Sequence, residues 1–186
     1  MPQTTEYLLL VDGEGRVLGR ESKQACHQGA GLLHAAFLVL VFDETGSLFL
    51  AQRSPQKKLW PGYWDGTVAS HYLQSPDRPT RIRDKVHQEL GVEPADPDYR
   101  FRFQYQASYQ DRGSECELCD VYVLKGVAPK SLRVNPAEIS EFRTVGVEAL
   151  KREIAADSGV FTPWFLIAFQ RLFGPDAGGK RPKSGS

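Results

Sequence analysis

"LLHAAFLVLVF", residues 32–42, is the longest apolar stretch of this 186-residue chain, and only His34 interrupts it. A membrane-spanning helix would need about 18 such residues. The stretch reads instead as a strand buried on both faces, the signature of a sheet covered on either side. "DETGS" (43–47) supplies turn chemistry after it, and "LFLAQR" (48–53) reads as a partner strand, so a hairpin is expected.

Working outward, "EYLLLVD" (6–12) reads as a strand with "GEGR" as its turn. "SPQKKLWPGYW" (54–64) reads as a loop, and "WDGTVASHY" (64–72) as a half-buried strand with Thr67, Ala69 and His71 on one face. "SPDRPT" (75–80) ends that strand. Residues 80–91 have the spacing of a helix, with Ile82, Val86 and Leu90 as the apolar stripe, Lys85 and Glu89 one turn apart, and Gly91 as the stop. "YRFRFQYQASY" (99–109) alternates as a strand should, with Phe101, Phe103, Tyr105 and Ala107 on one face. "ECELCDVYVLKG" (115–126) is a further strand that carries Glu115 and Glu117 on one side and Cys116 on the other. "EISEFRTVG" (138–146) is a shorter one. "VEALKREIAAD" and "TPWFLIAFQRLFG" read as closing helices, which makes residues 1–174 one domain and 175–186 a tail with nothing to bury. Helices mix with hairpins rather than alternating strictly with strands. That predicts an α/β (α+β) fold, a mixed sheet flanked by helices, rather than a doubly wound parallel one.

Basic and acidic residues balance at 23 each, which excludes a general nucleic-acid or membrane electrostatic footprint and favours a small molecule met by a local basic patch. Cys26, Cys116 and Cys119 make an odd count, poor material for a disulfide framework; with no leader segment evident, a reducing cytoplasm is the expected compartment.

Of four histidines, His27 and His34 bracket "CHQGAGLLH" and His71 ends the 64–72 strand. Two carboxylates on one strand face, Glu115 and Glu117, repel unless a cation or a proton sits between them. Neutral imidazoles added to them make a mixed nitrogen and oxygen site suited to Mg²⁺, Mn²⁺ or Zn²⁺. Spacing alone leaves open whether these residues converge or each histidine is an independent surface or core group.

"CHQGAGLLHAAF", "AQRSPQKKLWPGYW", "SHYL", "QELGVEP", "ECELC" and "FTPWF" resemble, in order and spacing, type I isopentenyl-diphosphate isomerase, a branch of the Nudix superfamily, from about residue 6 to residue 170. The resemblance implies a Nudix-type mixed sheet sandwiched between helices. It implies one divalent cation on His27, His34, His71, Glu115 and Glu117, and a second, Mg²⁺, joining the substrate diphosphate to Glu89. It assigns the diphosphate to Lys23, Arg53, Lys57 and Lys85, a grouping that suits a multiply charged anion. The implied reaction adds a proton at one end of an alkene, passes through a tertiary carbocation and removes a proton on the other side. Glu117 and Tyr105 match the acid, and Trp164 the ring that stabilises the cation, a contact worth about 2 kcal/mol when desolvated.

The chain departs from that pattern where the family has a catalytic cysteine, two residues before the third histidine: here stands Ala69, which has no proton to give or take. The family's "TNT" or "TNS" is also altered, to "DGT" at 65–67. A Nudix pyrophosphohydrolase is the rival reading, but "DKVHQELGV" (84–92) places Lys85 and Gln88 where two metal-binding glutamates of a hydrolase helix would stand, leaving Glu89 and Gly91–Val92 as the matching part. A non-catalytic diphosphate-binding relative is the third.

Overall fold

The computed structural model describes residues 5–73 and 78–175. The expected tail therefore lies outside the described residues apart from its first position, as does part of the 75–80 break.

In chain order the strands are β1 (Tyr7–Val11), β2 (Val17–Ser22), β3 (His34–Val41), β4 (Leu48–Arg53), β5 (Trp64–Asp65), β6 (Val68–His71), β7 (Asp98–Ser108), β8 (Ser114–Leu124) and β9 (Ile139–Val145). The helices are α1 (Lys23–Cys26), α2 (Arg78–Leu90), α3 (Val147–Ala156) and α4 (Pro163–Phe173). One sheet runs β2-β1-β3-β8-β7, with β6 sharing an edge of β3 with β1; a second runs β5-β4-β9. The β3–β8 ladder is parallel and the other ladders of that sheet are antiparallel, so the sheet is mixed, as expected.

All eight residues of β3 are buried. Ala36, Leu38 and Leu40 join a core closed by Leu150 of α3 and Trp164, Phe165, Ala168 and Phe169 of α4. The alternate residues Ala35, Phe37, Val39 and Val41 join a second core closed by Ile82, Val86 and Leu90, the stripe expected on α2. Period-2 alternation of an entirely apolar strand thus feeds two cores at once, and the helices lie on both faces. Gly91, with φ +68°, closes α2 in the left-handed conformation that favours glycine.

Two sequence expectations are corrected. The 32–42 and 48–53 segments do not form a hairpin ladder: they meet at the single bridge Phe42↔Leu48 and then diverge into separate sheets. The turn chemistry of 43–47 is real, but each strand finds longer partners elsewhere, β8 for β3 and β9 for β4. The 64–72 segment is likewise not one strand. It breaks into β5 and β6, one in each sheet, and Gly66 permits the crossing: a Cβ there would come within 2.7 Å of Leu38 Cδ1 and 2.8 Å of Leu40 Cδ2. The short edge strand β2 and the single turn of α1 were not anticipated, since "VLGRES" and "KQAC" carry little apolar periodicity.

Candidate functional site

The sheet register gathers side chains that are far apart in sequence. His34 opens β3 opposite Glu117 of β8, and Glu117 is in turn opposite Tyr105 of β7. His71 lies opposite Ala36 on the other edge of β3. His27 follows α1, whose first turn is capped by the Ser22 hydroxyl accepting from Ala25 N–H. The β7–β8 turn comes against it: Ser114 N–H donates to the His27 carbonyl at 3.0 Å, and Gly113 leaves no Cβ to collide with that oxygen.

The three imidazoles form a near-equilateral triangle, with centroids 5.0, 5.0 and 5.2 Å apart. Ligand atoms of His27, His34, His71 and Glu115 all fall within 4.8 Å of one another. His27 Nδ1 faces the Lys23 carbonyl at 2.6 Å and His34 Nδ1 the Leu32 carbonyl at 2.7 Å. A carbonyl only accepts, so both Nδ1 atoms carry hydrogen and both neutral rings turn an Nε2 lone pair into the triangle. The His27 lone pair meets a carboxylate, with Nε2 2.8 Å from Glu115 Oε2, and His34 Nε2 lies 3.6 Å from Glu117 Oε1; His71 Nε2 is 3.0 Å from the same Glu117 oxygen. Among the described residues, His34 Nε2 and Glu115 Oε2 are buried without a hydrogen-bond partner. Acceptors aimed at acceptors require something positive between them, and this donor set fits a divalent cation.

In the absence of an ion the cluster's charges lean on one another. Burial pushes Glu117 up, but His34 and His71 hold it well below the usual carboxylate range. Burial pushes His71 down, and Glu115 and Glu117 more than offset this, holding it at about 8. Glu117 also takes the Tyr105 hydroxyl at 2.6 Å on its other oxygen, Oε2. Burial and that carboxylate raise the Tyr105 phenol well above its ordinary value, so it holds its proton.

His27, His71, Tyr105, Glu115 and Glu117 line a cavity of about 860 Å³, with His34 buried behind them. Lys23, Arg53, Lys57 and Lys85, the four basic residues expected at a diphosphate, all line it as well. Their surroundings differ. Lys23 stands at the surface, paired to Glu6 at 2.8 Å. Lys85 is buried between Glu89 at 2.9 Å and Glu138 at 3.0 Å, and Glu138 also pairs with Lys57. Glu89 therefore sits in this lysine cluster, apart from the histidine triangle. Glu138 was missed in the sequence, since the two lysines that give it its place come from distant segments.

Trp164 is buried beside Tyr105, with ring centroids 5.9 Å apart, and Trp60 packs edge-on against it at 5.1 Å. Trp60 has φ +47°, a strained setting for a bulky residue, and Arg53 Nε clasps its carbonyl at 3.0 Å. Ala69 lines the cavity where the resembled family has its cysteine. Two further lining or wall residues were given no role from the sequence. Cys119 follows Glu117 on the same strand face; burial raises its thiol well above the ordinary value. Asp65 is buried, with Trp164 Nε1–H donating to it at 2.8 Å.

The NUDIX domain pattern matches residues 32–165. The isopentenyl-diphosphate Delta-isomerase of Halobacterium salinarum is 34% identical over 177 residues, covering 93% of this chain and 83% of that protein. The chain belongs to the type I isopentenyl-diphosphate isomerase branch of the Nudix family. Another isomerase of this branch, from Citrobacter koseri, is 33% identical and covers 88% of this chain and 90% of its own. Among solved structures, DR0079 from Deinococcus radiodurans superposes with a TM-score of 0.70 over 90% of this chain and 99% of its own, at 23% identity; that likeness is one of fold. Nudix isomerases of this branch use divalent metal, and the histidine and carboxylate triangle is where this chain could hold one.

Proposed function

We propose that this chain converts isopentenyl diphosphate to dimethylallyl diphosphate; His27, His34, His71, Glu115 and Glu117 would hold one divalent cation (Mg²⁺, Mn²⁺ or Zn²⁺), and Glu89 would hold a Mg²⁺ that supplies charge for the diphosphate. The observation that carries the reading is the Tyr105 hydroxyl on Glu117 Oε2, an acid pair at the end of an aromatic-walled cavity whose other wall is basic. Membership of the isomerase branch supports it.

Lys23, Arg53, Lys57 and Lys85 hold the diphosphate, and the alkene lies against Tyr105 and Trp164. The Tyr105 and Glu117 pair delivers a proton to the terminal alkene carbon. A cation held by these residues would supply the positive charge that lets the Glu115 and Glu117 carboxylates sit together. The tertiary cation that results is covered by the Trp164 indole, and water is kept from it by Trp60, Leu59 and Tyr105. A proton must then leave on the side where Ala69 stands; alanine cannot take it, so a water molecule in the cavity accepts it, which makes this step the variant part of the mechanism. On helix α2 the buried carboxylate is Glu89, and it is paired to Lys85, a poor arrangement for activating a hydrolytic water. Three free thiols suit a reducing cytoplasm.

Incubation with isopentenyl diphosphate and Mg²⁺ or Mn²⁺ in D₂O tests the reading. Deuterium in the prenyl carbons is the expected result. Inorganic phosphate released from unlabelled substrate would replace isomerisation with hydrolysis.

A further inference from the structure

Asp65 is 3% exposed, and every group around its carboxylate donates. Gly66 N–H, Thr162 O–H and Trp164 Nε1–H reach Oδ1 at 2.7, 3.0 and 2.8 Å, and Arg53 Nη1 reaches Oδ2 at 3.2 Å. Burial raises this carboxyl above its ordinary value, and Arg53 with the hydrogen-bond donors opposes that. The Gly66, Trp164 and Arg53 N–H groups cannot accept, so a protonated acid would turn its hydrogen towards a donor except at Thr162, and the packing favours the anion. The Arg53 guanidinium lies 5.2 Å from the centroid of the Trp164 ring. Its other bonds, Nε to the Trp60 carbonyl and Nη2 to the Leu59 carbonyl at 2.9 Å, leave N–H groups on both terminal nitrogens for a ligand. One buried anion thus joins the ring at the hydrocarbon end of the cavity to the cation at its phosphate end.

We propose that Asp65 is a positioning residue that fixes the Trp164 indole and neutralises Arg53 beside it, so that the ring accepts a substrate cation while Arg53 still serves the diphosphate. Two effects act in the same direction. A carboxylate on the indole N–H makes the ring face more electron-rich, which strengthens its attraction for a cation. The same carboxylate cancels a guanidinium that would otherwise repel a second positive charge nearby. At the other end the sign reverses: an unneutralised Arg53 would hold a diphosphate at least as well. The inference rests on the isomerase reading of the cavity, and it concerns a residue at which this chain departs from the "TNT" pattern of the resembled family.

Its test uses two diphosphates of the substrate's skeleton, one with a tertiary ammonium in place of the carbocation centre and one saturated and neutral there. Binding of each is measured by calorimetry to wild type, Asp65→Asn, and Asp65→Thr, which restores the family's residue and covers the case of a misfolded asparagine variant. In wild type the ammonium compound should bind more tightly. In the variants that preference should fall about tenfold, while the neutral compound binds unchanged or more tightly. A purely structural role would weaken both compounds together, and that result overturns the inference. So does a variant that keeps the full preference, in which case the isomerase reading stands without Asp65. A wild type that never prefers the ammonium removes both.

Discussion

Tyr105 and Glu117 face each other across the β7–β8 ladder, and the phenol donates to the carboxylate at 2.6 Å. The antiparallel register fixes this contact, so the two act as one proton-transfer unit. Tyr105→Phe keeps the ring that packs against Phe103 and Trp164 and removes only the hydroxyl. Isomerisation should fall by about 10²–10⁴-fold, the range of a lost general acid, with the thermal midpoint little changed. Glu117→Gln should do the same, and the double variant should be no worse than the poorer single one. Steady-state rates for the three proteins check this; a Tyr105→Phe variant within threefold of wild type would sink the assignment.

Ala69→Cys should raise activity. Ala69 lies on β6 opposite Leu38 and lines the cavity, so a thiol there enters a space already open to substrate. General acid–base groups contribute roughly 10²–10⁴ in rate, and a gain of at least about tenfold is expected from a group placed without its evolved surroundings. Deuterium incorporation per unit time is the measurement. A variant that keeps fold and metal content yet gains nothing would show that proton removal does not occur from this side.

Much of the fold and the candidate site was legible because it follows from local periodicity. The α2 stripe Ile82, Val86 and Leu90 and the paired glutamates of β8 were read from spacing alone, and the family resemblance then assigned the three histidines and those glutamates to one cation. What stayed hidden depends on which strand finds which partner. The chemistry of "DETGS" specifies a turn and says nothing about the eight-residue parallel ladder that draws β3 to β8. "WDGTVASHY" alternates well enough for one strand, and only the Leu38 and Leu40 side chains packed over Gly66 show why it must cross between sheets. Asp65 and Glu138 were illegible for a related reason: a carboxylate's importance lies in the donors that tertiary structure brings to it, and those donors come from 97 and 99 residues away for Asp65, and 81 and 53 for Glu138.

Metal should stabilise the folded chain through the histidine triangle. Manganese added to the metal-free protein at a hundred times its dissociation constant should contribute about 2.7 kcal/mol, read as a rise in thermal midpoint that a chelator reverses. Glu115→Gln removes the carboxylate whose Oε2 lacks a hydrogen-bond partner among the described residues, and should abolish most of that rise. A manganese response of equal size in Glu115→Gln would place the ion elsewhere.

Glu138 should make the protein acid-sensitive in a defined window. Burial pushes its carboxyl up, but Lys57 and Lys85 more than offset this and hold it at about 2, against an ordinary value of 4.5. A group whose pKa is depressed on folding stabilises the folded state above its unfolded value and loses that contribution as pH falls through its folded value. The loss should therefore run between about pH 4.5 and about pH 2. Glu138→Gln removes the titration and leaves Lys57 and the buried Lys85 with one carboxylate fewer, so it should be less stable than wild type at neutral pH and the gap should narrow as pH drops through that window. Urea midpoints at pH 7, 5, 4 and 3 for both proteins measure the gap. A constant difference across the series would mean that Glu138 contributes by packing rather than by charge.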